Sequence, residues 1–339
     1  MKMKRFSIKV AVVALVLSMT YPAAAAEIPA ALRGVKRIVF LGDSITQQGD
    51  YVVDFDCWLL SRGINIEVLN LGLASETASD LTEEENAGHK KAHGFGRPPL
   101  SERMDRVISA TKPDVIIACF GMNDGGDLPA DDTGTKRYAA AMTKLHDAAL
   151  KAGVRRVVLC TPPPHDAKGN ASQKPHDENL TRYSEWLLSK RSAGWDVVDI
   201  HGPMRRALDA GRAKDPSFAL ANDGVHPGSE GHWMMASAIV TQFIGADLEG
   251  IASSEQLFKA DGKEIHDRVR ARMTKRFSAW MRQVGHTRPG VPGGPGTKPG
   301  LSVEAADVEA AQLTKQILEQ LSGGPKAAPK SSVDSVPVK

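Results

Sequence analysis

The residue best suited to nucleophilic chemistry in this sequence is a serine that follows the first apolar run of the chain. Ser44 comes directly after Gly42 and Asp43, and the apolar run spans 36–41. The glycine permits a sharp turn at this point. A serine hydroxyl attacks a carbonyl carbon when a nearby base accepts its proton. Taken alone, Ser44 is better explained as a turn residue or a helix N-cap, so the assignment needs partners elsewhere.

A candidate base lies near the other end of the same region. Asp223 precedes His226 by three residues in the stretch 222–227. An aspartate at this spacing accepts a hydrogen bond from Nδ1 of the imidazole and leaves Nε2 free as a general base. In isolation the pair is also explained by an Asp-Gly turn and a structural histidine.

Two further positions offer hydrogen-bond donors for a developing oxyanion. Gly72 follows the second apolar run, and its backbone N–H has no side chain to obstruct it. Asn123 follows the third apolar run and carries a neutral amide donor. The ordinary alternatives are a loop glycine and an Asx turn. Together the four motifs supply a nucleophile, a base, an orienting carboxylate and oxyanion donors, which is the set that acyl transfer requires.

The elements that must position these residues form a repeating pattern from residue 35 onward. Apolar runs predict β-strands at 36–41, 64–69, 114–120, 154–160 and 195–200. Amphipathic stretches predict helices at 51–61, 99–111, 135–152, 177–191 and 228–244. Most of the runs are continuously apolar, which is typical of strands covered on both faces. The pattern predicts an α/β fold with a parallel sheet between helices and a site beyond the carboxyl ends of the strands.

The chain changes character past residue 250. The stretch 253–283 predicts a long helix with apolar residues spaced by four and basic residues on its other faces. Such a basic helix either contacts an anionic polymer or membrane surface, or packs on the domain with its charges in solvent, and the second interpretation is favoured. The stretch 291–300 predicts a Pro/Gly-rich linker or wrap, 303–321 a further helix, and 323–339 a disordered tail.

The first 26 residues have the features of a secretory signal peptide. Lys2, Lys4 and Arg5 precede an apolar run that ends near Met19, and Ala24-Ala25-Ala26 resembles a cleavage site. A retained membrane anchor is the alternative, but the apolar run is shorter than the roughly 20 residues that an anchor needs. The sequence therefore predicts export to the periplasm or the extracellular space and no stable membrane insertion.

Composition excludes several classes of function. The chain has 339 residues, with 43 Lys and Arg against 40 Asp and Glu, so it lacks the strong basic excess of a nucleic-acid binder. The three cysteines exclude a disulfide-built scaffold. Cys119 and Cys160 lie in predicted strands, which favours buried free thiols.

The four motifs, in this order, resemble those of the SGNH (GDSL-type) hydrolases over about residues 35–245. The resemblance implies that Ser44, His226 and Asp223 form the catalytic triad. It also implies that the N–H groups of Ser44 and Gly72 and the amide of Asn123 form the oxyanion hole. A flavodoxin-like three-layer α/β/α sandwich with five parallel strands and no metal or organic cofactor follows from the same resemblance. The expected organisation is a hydrolase domain over 27–250 and a helical extension over 251–322.

The substrate is predicted from the segments expected to flank the site. The segments 88–99 and 161–174 carry His89, His93 and His165 with glycine and proline and little aliphatic surface. A lipase needs a sizeable apolar patch for its chains. We therefore expect deacetylation of an O-acetylated saccharide, an activity found among secreted members of the family that the chain resembles.

Several alternatives to this substrate and this activity remain open. The same chemistry serves a lysophospholipase, a thioesterase, an arylesterase or an acyltransferase, and a non-catalytic saccharide-binding module is the alternative of another class. The spacing of His89 and His93 would suit two metal ligands on a helix. The surrounding glycines, however, predict a loop with surface histidines. The sequence does not predict an oligomeric state.

Overall fold

A parallel five-stranded sheet lies at the centre of the structure, a computed structural model that describes residues 28–81, 87–126, 128–258 and 260–322. The strands are β1 (Arg37–Gly42), β2 (Glu67–Asn70), β3 (Val115–Cys119), β4 (Arg156–Cys160) and β5 (Asp196–Val198). The predicted signal peptide at 1–26 and the predicted tail at 323–339 lie outside the described residues. Among the described helices, none is both long and apolar enough to cross a bilayer.

The strands are ordered β2-β1-β3-β4-β5, and every neighbouring pair is parallel. This is the flavodoxin-like order, in which the chain moves outward from β1 to β2 and then crosses back to β3. The carboxyl ends of β1 and β3 therefore flank the point at which the direction of winding reverses. The predicted fold class is confirmed.

Continuous burial explains why the apolar runs form strands. All five residues of β3 are buried, and Ile38, Val39, Phe40 and Leu41 of β1 are fully buried. The second strand is shorter than the predicted 64–69 because its pairing with β1 begins only where Glu67 lies opposite Arg37. Burial alone therefore does not define where a strand begins.

Eleven α-helices are present in the described part of the chain. Before β4 they are α1 (Ser44–Gln48), α2 (Asp50–Ser61), α3 (Ala87–His93), α4 (Met104–Thr111), α5 (Met122–Gly125) and α6 (Asp132–Lys151). After β4 they are α7 (Lys174–Ser189), α8 (His201–Lys214), α9 (Ser229–Ile239), α10 (Gly262–Val284) and α11 (Val303–Leu321). Helix α2 packs with α9 and α10, and α6 packs with α7, so helices cover both faces of the sheet.

Four of the described helices, α1, α3, α5 and α8, lie outside the stretches that the sequence predicts to be helical. Helix α8 was not predicted, and α3 occupies a stretch that was predicted to be a loop. Gly94 has a φ of 78° and donates its N–H to the carbonyl of Lys90, so this glycine ends α3 rather than preventing it. The glycine-based argument for a loop at His89 and His93 was therefore wrong.

The C-terminal extension packs on the sheet domain through the apolar stripe of α10. Ile265, Val269 and Met281 are almost completely buried, and α10 contacts α2, β2 and α11. Most basic side chains of the helix pair with carboxylates of this chain: Arg268 with Glu264, Arg270 with Asp50, Arg272 with Asp56, Lys275 with Glu309, and Arg276 with Asp307. The favoured interpretation of this helix, packing on the domain, agrees with these contacts, although many of its charges pair within the molecule instead of facing solvent.

The ion pair between Arg272 and Asp56 joins the extension to α2, and its loss should destabilise the protein. The two side chains are 4% and 6% exposed, and Nη2 lies 2.5 Å from Oδ2. Arg272→Ala leaves the Asp56 carboxylate buried without its partner, which typically costs about 3–5 kcal/mol. We expect that decrease in the free energy of unfolding measured by urea denaturation.

Lys263→Ala is the matched control for this experiment. Lys263 also pairs with an aspartate, Asp267, but both side chains are largely exposed. Its removal should leave the unfolding midpoint unchanged, because exposed pairs contribute little. Equal midpoints for the two variants would contradict the importance assigned to the buried pair.

Candidate active site

Ser44 lies at the carboxyl end of β1, as the first residue of α1. The N-cap of this helix is Asp43, whose Oδ1 accepts a hydrogen bond of 3.0 Å from the N–H of Ile45. The preceding Gly42 is required sterically, since a Cβ there would lie 2.6 Å from the carbonyl oxygen of Cys119. Ser44 is therefore not the cap residue, and its hydroxyl is available to other partners.

Three of the residues expected to form a site meet through hydrogen bonds. Nε2 of His226 lies 2.8 Å from Oγ of Ser44, although the two residues are 182 positions apart. Nδ1 of the same imidazole lies 2.7 Å from Oδ2 of Asp223. This arrangement allows the imidazole to accept the serine proton while the carboxylate fixes its orientation.

Asp223 is held as a carboxylate by its local hydrogen bonds. Its Oδ1 accepts hydrogen bonds from the backbone N–H groups of His226, at 2.7 Å, and Val225, at 2.9 Å. Partial burial raises the pKa of Asp223, but the hydrogen bonds from His226 and Val225 outweigh this effect and lower the pKa to about 2. Asp223 is therefore ionised at neutral pH, as an orienting carboxylate must be.

A neighbouring loop holds the segment that carries Asp223 and His226. The N–H of Asp166 donates to the carbonyl of Gly224 at 2.8 Å, and Asp166 itself pairs with Arg212 at 2.6 Å. Asp166 is buried, and its ion pair with Arg212 holds the loop that carries it in place. The Asp223–His226 segment thus has support beyond its own turn.

Asn123 and Gly72, the two expected oxyanion donors, differ in availability. Nδ2 of Asn123 donates to the carbonyl of Glu76 at 3.3 Å, and an amide nitrogen carries a second hydrogen that can serve an oxyanion. The N–H of Gly72 already donates to Oδ1 of Asn70 at 2.9 Å. The expected role of Gly72 is therefore corrected: a Cβ at this position would lie 2.6 Å from the carbonyl carbon of Thr46, so the glycine allows close packing.

The loop that follows β2, residues 71–76, contains a donor that the sequence did not indicate. Within the described ranges, the N–H of Ser75 donates to no atom, and the same is true of the N–H of Ser44. Ala74, before Ser75, donates to Oε1 of Gln47 in α1 at 2.7 Å, and Glu76, after it, accepts from Asn123. Ser75 thus lies between contacts to α1, which begins with Ser44, and to Asn123.

Several ionisable side chains next to the residues of the candidate site are buried. Asp43, Glu76, Asp124 and Arg103 are all almost fully buried. Burial raises the pKa of Asp43 to about 7, and the carboxylates of Asp124 and Glu76 add to this increase. The N–H of Ile45 opposes the shift through its hydrogen bond. Asp43, next to Ser44, is therefore a carboxyl group whose protonation changes near neutral pH.

The histidines expected on the rim of the site are mostly inside the protein. His89 is 6% exposed and His165 is 4% exposed, whereas His93 is exposed on α3. His165 stacks on His176 with ring centroids 4.3 Å apart. The part of the chain that the structure describes contains no group of three or more His, Cys, Asp or Glu side chains suited to a metal ion.

Comparisons with known proteins show a family and solved structures to which this chain is similar. The model of the GDSL-like lipase/acylhydrolase family matches residues 40–234. A gut microbial diltiazem-metabolizing enzyme, BT4096, is similar in structure with a TM-score of 0.51 and 26% identity, covering 62% of this chain and 47% of that protein. Axe2, an acetylxylan esterase from Geobacillus stearothermophilus, has a TM-score of 0.46 and 22% identity, covering 62% and 95%. The comparison with curated proteins gives no match.

The raised pKa of Asp43 makes a prediction about stability. Between an unfolded pKa of about 3.9 and the folded pKa of about 7, the folded state binds more protons than the unfolded state. The free energy of unfolding should therefore fall as the pH rises through this window. Asp43→Asn keeps an acceptor for Ile45 but removes the titration. We expect its stability to fall less over the window, with a difference on the order of a few kcal/mol.

Urea denaturation at several pH values measures this difference. Asp215→Asn is the control, because Asp215 is exposed and its hydrogen bonds with Ser217 lower its pKa. The control should keep the pH dependence of the unsubstituted protein in the same window. The interpretation of Asp43 is wrong if Asp43→Asn and the control have the same pH dependence.

Proposed function

This chain belongs to the GDSL-like lipase/acylhydrolase family and is a carboxylic ester hydrolase, and from that premise we propose that Ser44, His226 and Asp223 are its catalytic triad. The observation that carries the proposal is the continuous hydrogen-bond chain of 2.8 Å and 2.7 Å from Oγ of Ser44 through the imidazole to the carboxylate. An ester hydrolase of this type requires that chain, because a serine hydroxyl is a weak nucleophile at its own pKa.

The proposed reaction proceeds in two halves through an acyl-enzyme. Oγ of Ser44 attacks the ester carbonyl carbon while Nε2 of His226 takes the hydroxyl proton. The tetrahedral intermediate collapses, the C–O bond to the alcohol breaks, and His226 gives its proton to the leaving oxygen. Water then attacks the acyl-serine, His226 accepts a proton from it, and the acid leaves as Ser44 regains its proton. Asp223 stabilises the imidazolium in both halves.

The oxyanion is proposed to be bound by the N–H groups of Ser44 and Ser75 and by the amide of Asn123. Two observations support Ser75 in place of Gly72: its N–H has no acceptor within the described ranges, and the N–H of Gly72 is bonded to Asn70. Preorganised donors of this kind stabilise the charge that develops in the transition state without reorganisation.

The proposed substrate is an O-acetylated saccharide, and the openness of the site supports it. The side chains of His226 and Asp223 are 40% and 56% exposed. An open, solvated site suits a small acyl group on a bulky polar alcohol, whereas a long acyl chain needs an apolar pocket. We also propose that the enzyme acts after export, as the composition of residues 1–26 supports.

Removal of the nucleophile tests the proposed triad. Ser44→Ala should abolish ester hydrolysis and covalent labelling by a fluorophosphonate, since both require attack by Oγ. Circular dichroism should show that the variant is folded. Near-normal turnover by Ser44→Ala, or the absence of labelling in the folded unsubstituted protein, would overturn the assignment, and the second result would favour a binding module.

Removal of the Asn123 amide tests the proposed oxyanion hole. Asn123→Ala should lower kcat by about 10²- to 10³-fold, the usual loss for one such donor. The side chain is half-buried and its described hydrogen bond to Glu76 is long, so the unfolding temperature should change little. Steady-state kinetics together with thermal unfolding separates the two effects, and an unchanged kcat would exclude Asn123 from the hole.

Product analysis tests the substrate class. The unsubstituted protein is expected to release acetate from acetylated xylan at a higher rate than it hydrolyses p-nitrophenyl palmitate. The rate of Ser44→Ala on each substrate serves as the background. The site is open and the proposed acyl group is small. Preference for the palmitate ester would instead support a lipase or lysophospholipase activity, and would contradict the saccharide proposal while leaving the triad intact.

A further inference from the structure

A fully buried arginine holds both ends of the 71–76 loop. Nη2 of Arg103 donates to the carbonyl of Leu71 at 2.7 Å. Nε and Nη2 of the same guanidinium also bind the two carboxylate oxygens of Glu76, each at 2.6 Å. Arg103 and Glu76 are both completely buried. One rigid, planar group thus fixes the separation between the first and last residues of the loop.

The loop needs this constraint because its backbone is not in a relaxed conformation. Ser75 has a φ of 66°, in the left-handed region that residues other than glycine seldom adopt. Such conformations persist only where the surrounding structure enforces them. The residue directly after Ser75 is Glu76, whose carboxylate is bound by Arg103 and whose carbonyl accepts from Asn123. Glu76 of the ion pair therefore directly follows one proposed oxyanion donor, Ser75, and accepts a hydrogen bond from the other, Asn123.

We propose that Arg103 is a positioning residue of the hydrolytic reaction, which fixes the 71–76 loop so that the N–H of Ser75 and the amide of Asn123 converge on the oxyanion. This inference rests on the proposed function. It assigns Arg103 no contact with the substrate, and it explains why a costly buried charge pair lies at this place. Apolar side chains often stabilise a protein as well as a buried ion pair does. They could not, however, bind the carbonyl of Leu71 and the carboxylate of Glu76 together.

The C-terminal extension completes the environment of this guanidinium. Sδ of Met281 in α10 lies 3.9 Å from Nη1 of Arg103. Nearby, Arg106 donates to the carbonyl of Gly285 at 3.0 Å. Both extension residues lie beyond the segment 40–234 that matches the family. The region outside the family match therefore contacts the guanidinium of Arg103.

Arg103→Lys tests this role, and Arg272→Lys is its matched control. Both substitutions shorten a buried arginine that pairs with a buried carboxylate, but the hydrogen bonds that the structure describes for Arg272 go to Asp56 in α2 and Thr314 in α11 rather than to the 71–76 loop. A lysine at 103 cannot bind Leu71 and both oxygens of Glu76 at once. We expect kcat for an acetyl ester to fall about 10- to 100-fold with KM nearly unchanged, since small displacements of catalytic groups cost this much.

Active-site titration makes the comparison independent of folding yield. The end point of fluorophosphonate labelling counts the folded enzyme, so kcat is expressed per labelled serine in every variant. Arg272→Lys should keep the kcat of the unsubstituted protein even where its unfolding temperature falls. Glu76→Gln, which retains the size of the side chain but weakens the pair, should lower kcat in the same direction as Arg103→Lys.

The outcomes separate this inference from the function on which it rests. Equal kcat values for Arg103→Lys and Arg272→Lys, or a loss confined to KM, would overturn the positioning role while the esterase assignment stands. Turnover by Ser44→Ala equal to that of the unsubstituted protein would overturn the proposed function itself, and the positioning role with it. A selective fall in kcat for Arg103→Lys and Glu76→Gln would support it.

Discussion

The hydrogen-bond chain through His226 depends on a parallel sheet, because only that sheet brings its members together. Ser44 follows the first strand of the fold, whereas Asp223 and His226 come after the last strand. In a parallel sheet every strand ends at the same edge, so residues far apart in sequence reach one place without a long excursion of the chain. The reversal of winding at β1 leaves space at that edge, and helix α1 begins there with its serine.

Buried carboxyl groups near Ser44 set a second requirement on the fold, because their charge must be stabilised inside the protein. Burial raises the pKa values of three carboxyl groups here, Asp43, Glu76 and Asp124, and the carboxylates of Asp124 and Glu76 add to the increase at Asp43. Hydrogen bonds from the backbone and from Arg103 offset part of the cost of burying their charge. The offset is partial at all three groups, and the pKa of Asp43 rises to about 7. The N-cap function of Asp43 requires an acceptor oxygen but no charge, and a protonated carboxyl group still supplies one.

The fold and the three hydrogen-bonded residues of the site could be predicted from the sequence, because both depend on residue type and on position relative to the strands. Nucleophile, base and carboxylate are defined by side-chain type, and their spacing to strand ends is visible in the sequence. Gly72 was misassigned because the partner of a backbone N–H is not written in the residue type; Asn70, two positions earlier, takes that N–H in the structure. Arg103 lies in the predicted amphipathic helix at 99–111, where an arginine is expected on the polar face. Its burial depends on contacts with Leu71, Glu76 and Met281, which are distant in sequence. Ser75 likewise has no signal beyond its place in the loop.

The position of β2 explains why so many remote residues support one short loop. Strand β2 is at the edge of the sheet, so the 71–76 loop has a neighbouring strand on one side only. On the other side α10 covers β2, and its Met273 lies 3.7 Å from the Asn70 amide that also donates to the carbonyl of Thr46 in α1. An edge strand without such a cover exposes its backbone and leaves the following loop mobile. The extension therefore covers the open edge of β2 as a further strand would in a wider sheet. Asn70, directly before the loop that carries the proposed donor Ser75, thus contacts a residue outside the segment that matches the family.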